Sequence, residues 1–504
     1  MQQDYTVLQS LLEVASPWFE LATTALLIAN RSRLSLQCTY PDIERVDDFD
    51  VGQDSKLDTI LQRLERIETN MPNTPQTTPN DLLTVLSKFK CPAESEAGNW
   101  YLNPGALRPQ WQAFILFGST LRMLKENNTT VEAIAKRHFS HIHQWLPTIS
   151  RPKIEEGLTL FNKFESRPGF MMLVLSMHLV GIQYSEHTSS TPPAESPWYR
   201  ACKYHFGQSV AFEDPRIELV QAGMLIALFE YTHHIDDKAM LTLGICARLG
   251  YSIGLDTILN QNAGHCEGGL LPEAEESILT WWGLTLLDRQ FNLPPRVIPQ
   301  HPCIPHQSSS HGPAVTAFTT VDTKIIDTFL MELMVARQVA QIQAFIRENR
   351  HKGMSLQKEA TTSMIYDFDS LLGCLGMMSA RNYAGFPALV AAGLQLQCFC
   401  FEQRGSFDES SILFIRSLIS RLREVIEQRG LDMGLEDNLD AFTLSCISAA
   451  YQAITTYELV RSGYNIPSLP GIDTKVFMGL LENLAPRYQL AGIYENSQDE
   501  MTID

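Results

Sequence analysis

In the run Glu276-Ser-Ile-Leu-Thr-Trp-Trp-Gly-Leu-Thr-Leu-Leu-Asp-Arg289, two indoles stand side by side among apolar residues that recur at helical spacing. Pro272, followed by Glu273, Glu275 and Glu276, opens it as a helix: proline suits the first turn, and the carboxylates sit against the positive end of the helix dipole. Ile278, Trp281, Trp282, Leu286 and Phe291 continue the period, and Pro294-Pro295 closes it. Adjacent tryptophans on a helix point about 100° apart, so each needs its own neighbour and the helix is expected to be central. At its far end the Asp288-Arg289 pair reads as a structural ion pair met by partners on adjacent helices rather than as a catalytic pair.

Working outward, Asp214 and Pro215 open a helix in which Ile217, Val220, Met224, Ala227, Leu228 and Tyr231 share a face. That face is expected against Met240 to Leu255, where Gly244, Ala247, Gly250 and Gly254 crowd small side chains together. Such residues weaken an isolated helix, so their density implies close approach by a neighbour. Helical periodicity also marks Trp111 to Leu124, Val131 to Trp145, Phe170 to Tyr184 and Trp198 to Phe212. Beyond the Trp-Trp run it returns at Ile325 to Ile346, Tyr366 to Met378, Pro387 to Phe401, Ser411 to Glu427, Phe442 to Val460 and Thr474 to Leu484. No alternating strand pattern competes over comparable lengths, and the fold class read from the chain is all-α.

Leu243-Gly-Ile-Cys-Ala-Arg-Leu-Gly-Tyr-Ser-Ile-Gly-Leu255, then acidic residues, then Trp281-Trp282 and Leu287-Asp288-Arg289, resembles the regulatory (middle homology) domain of fungal zinc binuclear cluster transcription factors. His138-Phe139 with Ile142-His143-Gln144-Trp145-Leu146-Pro147 is similar to the opening of that domain, and the order along the chain agrees. The resemblance implies a nuclear, DNA-binding transcriptional regulator of a metabolic gene set, with the helical domain as the controlling part. Ala29 to Pro41 is similar to the exit sequence of a six-cysteine zinc cluster, with Cys38 in the place of the sixth cysteine. Two zinc ions need six thiolates. The other five are not in the sequence, so no zinc ligand set is assigned: catalytic, cofactor and metal residues are none for the chain as written, with Cys38 a lone remnant and zinc expected only in a longer form.

At 504 residues and 44% hydrophobic content the chain can bury a large core. A net charge of −18 and a pI near 5.2 argue against a nonspecific grip on nucleic acid, which rests on lysine and arginine density. Ten scattered cysteines without Cys-x-x-Cys spacing suit free thiols in a reducing compartment. Leu21 to Ala29 is too short to span a bilayer, and no membrane association is expected.

The organisation expected is an N-terminal segment at 1–45, a linker with a short coiled coil at 46–90 and a helical regulatory domain at 91–504. The proline-rich run Pro294 to Pro313 makes 294–320 the candidate break between two lobes. Within the linker a capping box at Ser55 to Asp58 precedes Leu57, Ile60, Leu64, Ile67 and Met71, a heptad seam about two repeats long. It serves either as a coil for a homodimer or heterodimer through 57–71 or as one amphipathic helix on its own domain. A regulator without DNA binding, acting through a partner by this seam, is the alternative function.

Gly250-Tyr-Ser-Ile-Gly254 matches the nucleophile elbow of hydrolases. That motif works where a strand turns into a helix, whereas here the flanks are helical and Ser252 falls on a polar stripe with Lys238, Thr242 and Arg248. His138, His141 and Trp145 share a helical face near His143 and read as packing histidines. His301, Cys303 and His306 could meet a metal only if something rigid positioned them. Asp47-Asp48 and Asp236-Asp237 are acidic pairs of the kind that hold magnesium, but Asp237 is followed by Lys238-Ala239-Met240, with no third carboxylate one turn on for the several oxygen ligands a magnesium diphosphate site needs, and no phosphate loop is present.

Overall fold

The computed structural model describes residues 109–163, 166–181, 192–235, 238–258, 271–293, 302–304, 318, 320–350, 368, 385–405, 407–429, 441–464, 474–485, 488 and 491. Among them the regular structure is helical, with no strand. The chain divides into two compact units, Met1–Arg122 and Met123–Asp504. Of the first, residues 109–122 are described and begin α1 (Pro109–Glu126). Cys38, Asp47-Asp48, the seam at 57–71, Asp236-Asp237, His301, His306 and the Tyr366 to Met378 stretch apart from Phe368 lie outside the described residues.

The second unit begins its helices with α2 (Val131–Ser140), whose Thr130 hydroxyl accepts from the Ala133 amide as a cap. The single helix expected from Val131 to Trp145 is broken: α2 stops at Ser140, and a 3₁₀ turn at Ile142–Gln144 carries the chain on. The apolar spacing survives the break because a 3₁₀ turn keeps Ile142 and Trp145 on the buried side. There follow α3 (Arg151–Asn162), α4 (Pro168–Gly181), α5 (Pro197–Phe212), α6 (Ile217–Thr232), α7 (Lys238–Ser252) and α8 (Pro272–Gln290). Then α9 (Thr323–Arg350), α10 (Gly385–Arg404), α11 (Glu409–Arg429), α12 (Ala441–Tyr464) and α13 (Lys475–Leu484) complete the order.

Helix α6 is the axis of the first half of this unit, packed against α4, α5, α7 and α8. Its buried residues run all the way round, from Leu219 through Phe229, instead of forming the single face read from Ile217 to Tyr231. With a neighbour on every side, each large apolar residue removed from water contributes about 1.5–3 kcal/mol, so no stripe is left to face solvent. The helix starts at Ile217 with Arg216 as its extended N-cap, two residues after the Pro215 expected to open it.

Helix α8, the Trp-Trp run, packs on α6 and α7 in front and on α9 behind. It opens at Pro272 as expected but ends at Gln290, with Phe291 as C-cap, before the Pro294-Pro295 pair is reached. Each indole has its own partner: Trp281 meets Tyr251 edge-on at 5.0 Å, and Trp282 meets Phe318 at 5.9 Å. Trp281 also explains a small residue on α7. A Cβ added to Gly250 would stand 3.0 Å from its ring, so the two sequence features are two sides of one contact. Beyond α8, the second half is built on α10, which packs against α9, α11 and α12, with α13 closing on α12.

Candidate functional site

No group of three or more His, Cys, Asp or Glu side chains among the described residues is placed to hold a metal. What the interior does contain is a set of buried carboxylates, each at a helix junction and each met by several donors.

The first lies at the start of α8. Glu276 accepts from the Ser150 amide at 3.1 Å and from Gln221 Nε2 at 3.1 Å, and Lys153 of α3 forms an ion pair with its other oxygen. Gln221 of α6 and Thr280 of α8 both donate to the Thr148 carbonyl. One turn of α8 thereby ties together Thr148, just after Trp145-Leu146-Pro147, the N-terminus of α3 at Ser150 and Lys153, and the second turn of α6. Close approach makes this possible. A Cβ on Gly283 would fall 2.4 Å from Thr148 Cγ2 and 2.9 Å from Leu146 Cδ1. Beside it, Glu275 accepts from the Thr320 hydroxyl at 2.6 Å and amide at 2.9 Å.

The second carboxylate is Glu230 on α6, 0% exposed. Tyr199 donates to it at 2.7 Å, Lys203 pairs with it at 2.9 Å, and Thr242 of α7 donates to its other oxygen. Lys203 also donates to Thr242 at 2.7 Å. Thr242 is therefore buried at the α5–α6–α7 junction, not on an outward polar stripe with Ser252; the polar spacing that suggested the stripe is used inward, to meet a buried charge.

The third is Asp288, also 0% exposed, beside Arg289. Arg289 Nη1 donates to Asp288 Oδ2 at 3.0 Å and Nη2 donates to the Ile304 carbonyl at 2.6 Å. The Cys303 amide donates to Asp288 Oδ1 at 3.0 Å and the Ile304 amide to Oδ2 at 3.2 Å. The partners of the pair are backbone groups of the proline-rich connection, where the sequence predicts partners on adjacent helices. Burial pushes the Asp288 carboxyl up and the Arg289 guanidinium down from their ordinary values, while each partner's charge opposes the other's shift. Cys303, one member of the His301, Cys303 and His306 group, is committed to this contact, with its Sγ 3.8 Å from the Met240 carbonyl.

The histidines at the domain opening are packed and neutral. His138 and His143 lie with ring centroids 6.3 Å apart, and both meet Phe139 edge-on. Burial, with a smaller push from the His143 neighbour, holds His138 down to about 3; burial and Arg151 hold His143 at about 4. Burial likewise raises the Cys202 and Cys303 thiols to about 12. Such groups are poor nucleophiles at neutral pH.

Ser252, the candidate nucleophile, sits in the last turn of α7 with its hydroxyl donating to the Leu249 carbonyl at 2.7 Å. Gly254 follows in the left-handed region at φ +72°, and the Leu255 amide returns to the Gly250 carbonyl at 3.0 Å. With the Gly254 amide returning to the Tyr251 carbonyl at 3.1 Å, this is a Schellman helix terminus, without the strand that an elbow requires. Of the residues that organise the interior, the sequence offered Glu276 only as a helix-start carboxylate and Thr242 only as part of a polar stripe, and it left Gln221, Glu230 and Lys203 unmarked; a charged or amide residue inside an otherwise apolar helical period was the available signal.

A narrow gap of about 10 Å³, room for about one water, lies between α8, α9 and α10 and is lined by residues that include Arg289, Gln290, Glu332 and Gly385. Glu332 accepts from the Gly385 amide at 2.7 Å at the N-terminus of α10.

Residues 135–294, from within α2 to just beyond α8, match the family described as fungal specific transcription factor domain. Over 125 residues the chain is 29% identical to Transcription factor BOA15 of Botryotinia fuckeliana (strain B05.10), a stretch that covers 25% of this chain and 67% of that one. No solved structure matches.

Proposed function

Since this chain is a transcriptional regulator that carries a fungal specific transcription factor domain, we propose that its helical region is the part that sets transcriptional output, in the nucleus, for a metabolic gene set. The observation that carries the reading is the coincidence of the matched span with the block from α2 to α8, whose helices are tied by the buried carboxylates Glu230, Glu276 and Asp288. A block held in that way moves as one body, as a domain that relays a signal must.

With a net charge of −18 the bulk of the chain is repelled by phosphate, so contact with DNA falls to a separate element or to a partner held through 57–71. Zinc enters no step of this reading: a zinc cluster needs several converging thiolates, and no group of three or more His, Cys, Asp or Glu side chains among the described residues is placed to supply them. The region is read as having no catalytic centre of its own. No helix among the described residues is long and apolar enough to cross a membrane.

The test is to tether the full chain upstream of a reporter through a heterologous DNA-binding module. A change in output that is lost with Asp288→Ala and Glu230→Ala supports the reading, whereas an unchanged reporter from a folded, expressed fusion refutes it. Hydrolysis of a generic acyl ester that disappears with Ser252→Ala would instead establish an enzyme.

A further inference from the structure

We propose that the outward face of α5 is a contact between two copies of this chain, paired antiparallel about a two-fold axis that passes Gly207. Along this helix Arg200, Tyr204, Gly207 and Ala211 recur at alternating steps of four and three, and all four are exposed. Asp214, just past the helix end, is exposed as well, and Lys203 and Val210 border the face half-buried. That period is the one at which helices pack side by side. The opposite face of α5 is already used within the chain, by Tyr199, Cys202, His205, Phe206 and Ser209.

Charge and shape together name the occupant. Arg200 and Asp214 stand equally far along the chain from Gly207, on either side of it. A two-fold axis at Gly207 therefore sets Arg200 of each copy against Asp214 of the other, twice over by symmetry. The same operation lays Tyr204, 38% exposed, over Val210 and Ala211 of the other copy, a ring against small or narrow side chains. An interface of this kind uses one patch twice, and here the patch carries both the knob and the hollow, both the cation and the anion.

Gly207 itself fits the axis. Glycine weakens a helix interior, and Gly157, Gly223, Gly283 and Gly393 each stand in one where a side chain from elsewhere in the chain rests on the missing Cβ. Gly207 has no such occupant: among the described residues nothing lies within 4 Å of an added Cβ. At a two-fold axis its bare backbone lets the two helices close on each other. Leu241 of α7, 65% exposed, is next to Thr242, to which Lys203 donates, so apolar surface continues beside α5. One helix face with this margin falls short of the ~800 Å² per partner of a standard interface, and the net charge of −18 repels a second copy over the rest of the surface. The dimer is therefore weak and reversible. The inference goes beyond the regulator reading and does not depend on it.

The experiment is analytical ultracentrifugation of the full chain from about 1 to about 200 µM, where a weak pairing shows as a monomer–dimer equilibrium. Arg200→Asp and Asp214→Arg are each expected to weaken the dimer about tenfold or more, because each sets like charges together. An equimolar mixture of the two variants is expected to associate again, since every contact across the axis then joins opposite charges; damage to the fold cannot be repaired by mixing. Gly207→Ala is expected to weaken the dimer about tenfold while leaving the dilute chain at least as stable, a division that a role within one chain does not produce. A wild type that stays monomeric over the whole range overturns the proposal and leaves the face to a different partner. A dimer indifferent to all three substitutions overturns it too, and moves self-association to another segment such as 57–71. Failure of the mixture to associate, where each variant alone is weakened, overturns the antiparallel pairing.

Discussion

The two halves of the second unit are held together by different means. From α2 to α8 the interior encloses Glu230, Glu275, Glu276, Asp288 and Arg289, all buried and all hydrogen-bonded. From α9 to α13 the described buried polar groups are uncharged, among them Gln338, Gln343, Gln395, Gln397, Gln452 and Thr456 in a mainly apolar interior, except for one buried carboxylate, Glu332, which caps α10. The described ion pairs there, Arg423 with Glu427 and Arg461 with Glu458, are on the surface, where such pairs contribute little. Apolar packing tolerates exchange of one aliphatic residue for another; a buried charge with several donors does not tolerate loss of any of them. The difference teaches why the half rich in buried charge carries the recognisable motifs: each charge fixes the identity of several residues at once.

Acid should break the comparison most visibly. The buried histidines described, His138, His143, His178, His205 and His233, all lie in the first half, and burial holds them down to between about 3 and about 4 from 6.5. They stay neutral when folded and charge when unfolded, so stability is intact above about 6.5, falls as pH drops below it, and levels off only under the folded values. Each histidine contributes a slope of about 1.4 kcal/mol per pH unit. Of the seven tryptophans, Trp145, Trp198, Trp281 and Trp282 lie in this half, Trp18, Trp100 and Trp111 precede it and none follows it, so tryptophan fluorescence carries no signal from the second half. The expected outcome is loss of tryptophan burial on acidification from pH 7 to pH 4 before the helical signal is fully lost; simultaneous loss of both would mean that the halves are not distinct in this way.

Asp288→Ala comes next. It leaves Arg289 buried without its counter-charge and frees the Cys303 and Ile304 amides, with an expected cost of about 3–5 kcal/mol in urea unfolding. Overpacking is milder and sharpens the comparison, because both halves can be probed alike. Gly283→Ala meets Thr148 and Leu146, and Gly393→Ala meets Phe368 at 2.6 Å, each for about 1–3 kcal/mol. If rigidity follows buried charge, Gly283→Ala costs the more of the two. The smallest effect has the opposite sign. Gly207 in α5 has nothing within 4 Å of an added Cβ, so Gly207→Ala should stabilise by about 0.5–1 kcal/mol in the same measurement.

Much of the helical fold was legible because it is written locally. Pro272 and the acidic residues after it place the start of α8, and the indole pair demands the two neighbours that Tyr251 and Phe318 turn out to be. The break at His141 was hidden because the apolar period runs through it. Helix α3 escaped notice because its buried residues are only Ile154, Gly157 and Phe161, although Pro152 in its first turn was a usable signal. The partners of Asp288 were beyond local pattern: they are backbone groups some fifteen residues on, in a segment whose prolines speak only of irregularity.

The end of α7 carries a lesson of its own. Gly250 is small because an aromatic ring rests on it, and Gly254 is there because the backbone reverses at φ +72°. Two unrelated architectural needs, one turn apart and with a serine between them, spell the signature of an esterase. Any helix that receives a tryptophan just before it stops can produce the same five letters, so in an all-helical chain that pentapeptide marks a docking indole sooner than a reacting hydroxyl.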